Sequence, residues 1–319
     1  MYMYATHHNL KGFSSMSLPA SPDSPWFHEL DVAVAAAEQA GEVILDFYNA
    51  HSAGEYKKDD GSPVTDADIA ADNVIRERLT AAFPEDGLLT EEGARDESRL
   101  QKTRVWIVDP IDGTAQFIAA NGKFDVLIAL AVDQVATVAV TLQPTTGLMH
   151  AAIKGEGAWR RDGGQWEPFR ITPSLTPPRM VTSVYYIAEG SEPAVKAVAK
   201  QFGSAEPEEM KVGTQARAWD ATQRFYDVFI GFPQAPGTSP GQEWDLAAPD
   251  LIINEAGGVY TDLYGRRHLY NKRNTHFSGG LLIAADADIH GQVLKAMRPF
   301  LRDVPPSLEP ADDLPVEAE

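Results

Sequence analysis

Trp106-Ile107-Val108-Asp109-Pro110-Ile111-Asp112-Gly113-Thr114 is an apolar strand pattern that runs into two carboxylates separated by a proline and an isoleucine. Rigid sites are built at strand ends. Pro110 has no N–H to give to a ladder and is expected to stop the sheet, while Gly113 permits a tight turn. Asp109 and Asp112, at i and i+3, can then converge on one cation, with the carbonyl of Ile111 as a further ligand. Gly113, Thr114 and Ala115 would open a helix whose free N–H groups hold phosphate oxygens. Asp-Pro and Asp-Gly are also ordinary turn pairs, and Thr114 could serve simply as a helix cap. The stretch therefore needs support from elsewhere in the chain.

Two other acidic elements supply it. Leu88-Leu89-Thr90-Glu91-Glu92 is a second short apolar run ending in adjacent carboxylates, and Glu243-Trp244-Asp245 opens an apolar helix that ends near Ala256-Gly257-Gly258. Around the first motif, Val105–Val108, Val126–Val132, Val135–Leu142 and Leu148–Ile153 read as a mostly antiparallel meander, with Asp133-Gln134 as a tight hairpin and residues 154–157 as a turn. Two helices precede it. Phe27–Asn49 places Leu30, Val34, Ala37, Gly41, Ile44 and Tyr48 on one face, and a second helix follows Thr65 as cap and ends at Pro84.

After a proline-containing break at Thr172–Pro178 the pattern becomes α/β. Strands are expected at Val181–Tyr186, Met210–Val212, Phe225–Phe232, Val259–Asp262 and Leu281–Ala284, with helices at Glu192–Gln201, Thr214–Ala221, Leu246–Ala256 and Asp288–Leu301. The division this implies is a flexible extension over residues 1–25, an N-terminal α+β half carrying the metal site over 26–175, a C-terminal α/β half over 176–304, and a disordered acidic tail over 305–319.

Composition narrows the chemistry. The chain has 319 residues, no cysteine and a formal net charge of −19. Disulfides, thiolate metal sites and cysteine nucleophiles are excluded, and no histidine pair is spaced for one helix face, so oxygen ligands for a hard cation are favoured. The negative charge argues against a nucleic-acid polymer as partner. It does not argue against a small phosphate ester, because cations held by carboxylates reverse the local field. No run of about 18 apolar residues is present to cross a membrane. A cytoplasmic protein is expected.

Asp109-Pro110-Ile111-Asp112-Gly113-Thr114, the upstream Glu91-Glu92, and the downstream Trp244-Asp245-Leu246-Ala247-Ala248 with Glu255-Ala256-Gly257-Gly258 together resemble the inositol monophosphatase superfamily in order and spacing, from about residue 30 to 298. The resemblance implies a layered α-β-α-β-α sandwich of the sugar-phosphatase type and a phosphoric monoester hydrolase. It implies Glu91, Asp109, the Ile111 carbonyl, Asp112 and Asp245 as ligands of two or three Mg²⁺ ions. Asp68 and Thr114 match the pair that orients the attacking water, with Glu91 beside them among the catalytic residues. In that scheme Mg²⁺ lowers the pKa of water and stabilises the departing ester oxygen, and lithium inhibits by competing for a magnesium position. A homodimer is compatible with the resemblance. Gln116 and Pro249 depart from the family pattern, where asparagine and glycine are usual.

Three features resemble the 3'(2'),5'-bisphosphate nucleotidase branch more than the inositol branch. They are the stretch from Lys58 through Gly61-Ser62-Pro63-Val64-Thr65 to Asp68, the Glu243-Trp244-Asp245 form, and Leu269-Tyr270-Asn271. Lys58 is expected to contact substrate, and 3'-phosphoadenosine 5'-phosphate is the substrate this branch implies. Arg266, Arg267, His268, Lys272 and Arg273 form a basic cluster that could meet a second phosphate. The alternatives are inositol 1-phosphate, another sugar, polyol or histidinol phosphate, and a non-catalytic, partner-binding member of the same fold. Gly237-Thr238-Ser239-Pro240-Gly241 fits a serine-hydrolase pattern, but Pro240 lacks the N–H that an oxyanion hole needs there.

Overall fold

A computed structural model of the protein describes residues 18–58, 61–94, 96–171, 178–182, 192–203, 208–209, 227–231, 241–277 and 279–300. Helix α1 (Phe27–Ala50) buries Leu30, Ala33, Ala37, Ala40 and Ile44 along one stripe and ends at His51 in the left-handed region. The hairpin β1 (Glu55–Lys57) and β2 (Pro63–Thr65) leads into α2 (Asp66–Ala82). Thr65 caps α2: its Oγ1 accepts the Ala67 N–H, and its own N–H donates to Asp68 Oδ2 at 2.8 Å.

Seven strands form the first sheet in spatial order: β3 (Gly87–Thr90), β4 (Arg104–Asp112), β5 (Asp125–Val132), β6 (Val135–Gln143), β7 (Leu148–Ile153), β8 (Gly157–Asp162) and β9 (Glu167–Phe169). Only β3 and β4 are parallel; the rest is the expected meander. At the β5–β6 hairpin Asp133 and Gln134 both take positive φ, 48° and 65°, the geometry that a two-residue turn demands.

Period-2 alternation splits the side chains between two cores. Trp106, Val108, Val126, Ile128, Leu130, Val138 and Val140 pack under α1 and α2. Val105, Ile107, Leu127, Ala129, Ala131, Ala139 and Ala152 line the opposite face. That second face is rich in alanine, which lets helix α5 (Glu243–Glu255) lie close against β4 to β8. Beyond α5 stands a second, five-stranded sheet in the order β11 (Glu208–Glu209), β10 (Met180–Thr182), β12 (Val228–Gly231), β14 (Leu281–Ala284), β13 (Val259–Thr261). Helix α4 (Glu192–Gln201) packs on α6 (Ala287–Met297), and α6 packs on β14. The layers are α-β-α-β-α, as the sequence implied, and the middle layer is the helix that carries Asp245.

Several readings need correction. Pro110 does not stop the sheet: β4 pairs with β5 as far as Asp109↔Leu127 and pairs again at Asp112↔Asp125, so a bulge absorbs one extra residue. Strands β8 and β9 and the β1–β2 hairpin were not foreseen, because each is short or strongly charged. The extension expected to run to residue 25 is packed from Leu18 onward: Ala20 is buried, and Ser24 Oγ donates to Glu156 Oε1 at 2.6 Å. Residues 1–17, the strand and helix expected over 210–221, the loop Gly237–Pro240 and the tail expected over 305–319 lie outside the described residues.

Candidate active site

The bulge in β4 explains how Asp109 and Asp112 come to serve one point. Inserting Pro110-Ile111 against a shorter partner strand re-aims the side chains on either side of it. Asp109 Oδ1 accepts the Ile111 N–H at 2.9 Å, which fixes its carboxylate within the turn. Gly113 follows at φ +100°, where a Cβ would also meet Gln116 Oε1 and the Lys123 carbonyl at 3.2 Å. Gly113→Ala is therefore expected to destabilise the protein by about 1–2 kcal/mol, read as a lower urea midpoint, with a matching loss of activity because the strain falls on the turn joining Asp112 to Thr114.

Asp245 reaches the same point from the other half. It is the third residue of α5, and its Oδ2 accepts the Gln242 N–H at 2.6 Å in a capping box. Pro249, four residues on, has no N–H to return to the Asp245 carbonyl, so the helix forgoes one bond there yet continues to Glu255. Carboxylate oxygens of Asp109, Asp112 and Asp245 all lie within 4.8 Å of one another. Glu91 stands at the end of β3, its N–H bonded to the Val108 carbonyl at 3.1 Å, and its side chain shares a hydrogen bond with Asp109.

The electrostatics of this group are adverse without a counter-ion. Burial, then the charges of Glu91, Asp112 and Asp245, raises the Asp109 carboxyl well above the usual aspartate range. Burial, then Glu91 and Asp112, does the same to Asp245. Lys58 is the cation of the cluster, donating to Glu91 Oε1 and Glu92 Oε1 at 2.6 Å each. Burial opposes its charge, but the two glutamates hold its pKa above the ordinary lysine range. Glu92 is pushed up to about 7 by burial, despite its bond to Lys58. An all-oxygen donor set whose members repel one another fits hard divalent cations, which need several carboxylates at short range.

Beside the carboxylates, Thr114 is the first residue of α3 (Thr114–Ile118) rather than its cap, a place taken by Gly113. Thr114 Oγ1 lies 3.0 Å from Asp68 Oδ1 and 3.3 Å from the Ile111 carbonyl. Asp68 is fully buried, and its other oxygen accepts from Thr65 Oγ1 at 2.6 Å. Burial raises the Asp68 pKa, and the bonds from Thr65 and Thr114 work against that rise. Asp68, Lys58, Glu91, Asp109, Ile111, Asp112, Gly113, Thr114, Ala115 and Asp245 thus meet around one junction of β3, β4, α2, α3 and α5. Thr65, read from the sequence as a cap alone, also steadies Asp68.

The residues of the basic cluster take separate partners. Arg266 pairs with Asp262, Arg267 with Asp250 and Arg273 with Glu97, while Lys272 Nζ donates to the His276 carbonyl and sits 4.1 Å from the Phe277 ring centre. His268 is buried, and burial followed by the charge of Lys272 lowers its pKa to about 3. Each of these cations is thus committed to a protein partner within or beside the 262–277 segment.

Comparison with known proteins places the chain in a family. Residues 27–299 match the model of the inositol monophosphatase family. The chain is 31% identical over 247 residues to a histidinol-phosphatase of Chlorobaculum parvum, covering 76% of this chain and 88% of that protein. It is also 31% identical over 257 residues to the 3'(2'),5'-bisphosphate nucleotidase CysQ of Salmonella typhimurium, covering 80% and 98%. Among solved structures, CysQ from Bacteroides thetaiotaomicron superposes with a TM-score of 0.64 at 25% identity, over 81% of this chain and 97% of that one.

Proposed function

The chain belongs to the inositol monophosphatase family, and from that premise we propose that it is a magnesium-dependent phosphomonoesterase acting on a bisphosphate nucleotide such as 3'-phosphoadenosine 5'-phosphate. The observation that carries the chemistry is the approach of Asp109, Asp112 and Asp245 to within 4.8 Å, beside a hydrogen-bonded Thr114–Asp68 pair. Glu91, Asp109, the Ile111 carbonyl, Asp112 and Asp245 would hold the ions, two or three in number. Bound Mg²⁺ would supply Lewis acidity toward the ester phosphate and acidify water.

The protein's own residues do the rest. The Thr114 hydroxyl donates a hydrogen bond to Asp68, which leaves an oxygen lone pair to accept a hydrogen bond from water and so aims the water's own lone pair at phosphorus. The N–H groups at the start of α3, from Gly113 to Ala115, face the ester's anionic oxygens. Lys58 adds a positive charge that is balanced by Glu91 and Glu92 in their absence. The P–O ester bond breaks as the water oxygen bonds to phosphorus; one proton of the water ends on the departing ester oxygen and the other stays on phosphate, so an alcohol and inorganic phosphate are released with no phosphorylated side chain. Lithium inhibition belongs to the same reading.

The nucleotide assignment is supported by the CysQ relatives and by three stretches that resemble that branch. The histidinol-phosphatase relative favours a second reading, histidinol phosphate, and inositol 1-phosphate is a third. Phosphate release from the purified protein, with and without Mg²⁺, across 3'-phosphoadenosine 5'-phosphate, histidinol phosphate, inositol 1-phosphate and fructose 1,6-bisphosphate separates them. We expect Mg²⁺-dependent turnover with at least a tenfold preference for the nucleotide, about 1.4 kcal/mol in the barrier. Preference for another ester would move the substrate and keep the site; release unaffected by chelation would overturn the reading.

A further inference from the structure

Two stretches that mark the sequence as nucleotidase-like, Glu243-Trp244-Asp245 and Leu269-Tyr270-Asn271, are separate in the chain and joined in space. Glu243 is fully buried, and its two oxygens accept successive backbone N–H groups: Asn271 N–H to Oε2 at 2.6 Å and Lys272 N–H to Oε1 at 2.8 Å. Asn271 holds φ +61°, a left-handed conformation that asparagine tolerates better than most residues. Its side chain bonds a third element in both directions. Arg99 Nη1 donates to Asn271 Oδ1 at 2.6 Å, and Asn271 Nδ2 donates to the Arg99 carbonyl at 3.0 Å. Arg99 Nη2 also donates to the Lys272 carbonyl at 2.8 Å.

The three anchor points belong to the segments that deliver the carboxylates. Glu243 is two residues before Asp245 in the first turn of α5. Arg99 lies in a short 3₁₀ turn, Glu97–Gln101, between β3, which Glu91 directly follows, and β4, which carries Asp109 and Asp112. The Tyr270 N–H donates to the Gln134 carbonyl at the β5–β6 hairpin, 2.9 Å away, and the Glu243 N–H donates to the Thr275 carbonyl at 3.0 Å. The 270–277 segment therefore wraps the end of α5 and ties it to the first sheet.

We propose that Glu243, Asn271 and Arg99 form a clamp that sets the position of Asp245 relative to Asp109 and Asp112, and thereby the affinity of the site for divalent cations. The inference rests on Asp245 being a metal ligand. Packing of α5 on an alanine face sets the distance between the layers, but apolar contact is non-directional and does not by itself fix the register along the helix axis. Directional bonds to two oxygens of one carboxylate remove that freedom, and groups that orient ligands in this way are worth about 10–100-fold in metal affinity.

The test is Mn²⁺ binding to the substrate-free protein, followed by electron paramagnetic resonance, together with thermal unfolding in chelator. Glu243→Gln keeps the volume but meets two donors with one acceptor. Asn271→Gly keeps the left-handed backbone and removes only the amide, which covers the case in which Glu243→Gln does not fold. The expected result is a Kd for Mn²⁺ about tenfold weaker in each variant, with kcat at saturating metal within about threefold of the parent. Asp245→Asn in the same titration separates the two claims. If it loses tight binding while the clamp variants bind Mn²⁺ as the parent does and merely melt earlier, the clamp is structural and the inference is overturned. If Asp245→Asn itself binds as the parent does, the ligand assignment falls, and the clamp's role with it.

Discussion

Asp109→Asn is expected to abolish phosphomonoesterase activity and, in the metal-free protein, to raise the melting temperature. Asp109 is 1% exposed, and burial together with the charges of Glu91, Asp112 and Asp245 raises its carboxyl pKa. A carboxyl raised in this way is at ease in the fold while protonated. Its contribution to stability is present below the unfolded value, about 3.9, and is lost as pH rises through the folded value. At neutral pH, without a cation, the site is therefore a local cost that asparagine relieves. The amide oxygen can still accept the Ile111 N–H that Asp109 Oδ1 accepts, so the turn has no reason to open.

The gain should be about 2 °C near pH 7 and should vanish near pH 4, where the parent carboxyl also carries its proton. Saturating Mg²⁺ should reverse the order, because binding to the folded state stabilises the parent and not the variant. Activity should fall by about 10³-fold, corresponding to several kcal/mol of charge stabilisation withdrawn from the transition state. Thermal scans with Mg²⁺ or chelator, beside a phosphate-release assay, read all of this. A variant that keeps a tenth of the activity and still melts higher with Mg²⁺ would remove Asp109 from the ligand set.

How much of this could be read from the chain varies with the element, for physical reasons. The meander was legible because Val126–Val132 and Val135–Leu142 are long, β-branched runs on either side of a two-residue turn. The continuation of β4 past Pro110 was not, because proline usually ends pairing and only the partner strand reveals a bulge. Asp68 and Thr114 could be assigned through family resemblance, yet their mutual 3.0 Å bond depends on the angle between α2 and α3, which no local pattern encodes. Thr65 looked like a cap and is one; that its hydroxyl also holds Asp68 follows from the reciprocal geometry of the capping box. Glu243 and Asn271 lie 28 residues apart, so their contact is a property of the fold, and as sequence they registered only as branch marks. The basic cluster is the opposite case: cations adjacent in the chain take separate partners in the fold, Asp262, Asp250 and Glu97, which adjacency alone does not reveal.

Thr114→Ala tests the other half of the site, where rate should be lost with no loss of metal. The substitution deletes the hydroxyl that bridges toward Asp68 and leaves Glu91, Asp109, Asp112 and Asp245 untouched. Thr114 is the first residue of α3, so its backbone N–H stays in place for the phosphate proposed to dock there. Asp68 remains held by Thr65 through both its hydroxyl and its N–H. What disappears is the acceptor proposed to aim the attacking water, a form of positioned proton relay worth about 10²–10⁴-fold. We expect kcat to fall by about 10²–10³-fold, KM to change by less than about threefold, and the Mg²⁺-induced gain in melting temperature to match the parent. Thr114→Ser should restore most of the rate, because it replaces the hydroxyl and omits only a methyl; Thr114→Val, equal in shape, should not. A structural role alone would give the reverse order, with valine nearly harmless and both metal response and rate falling together. A kcat within threefold of the parent in Thr114→Ala would mean that water is oriented by some other group, and Asp68 would then be left as a buried brace between α2 and α3.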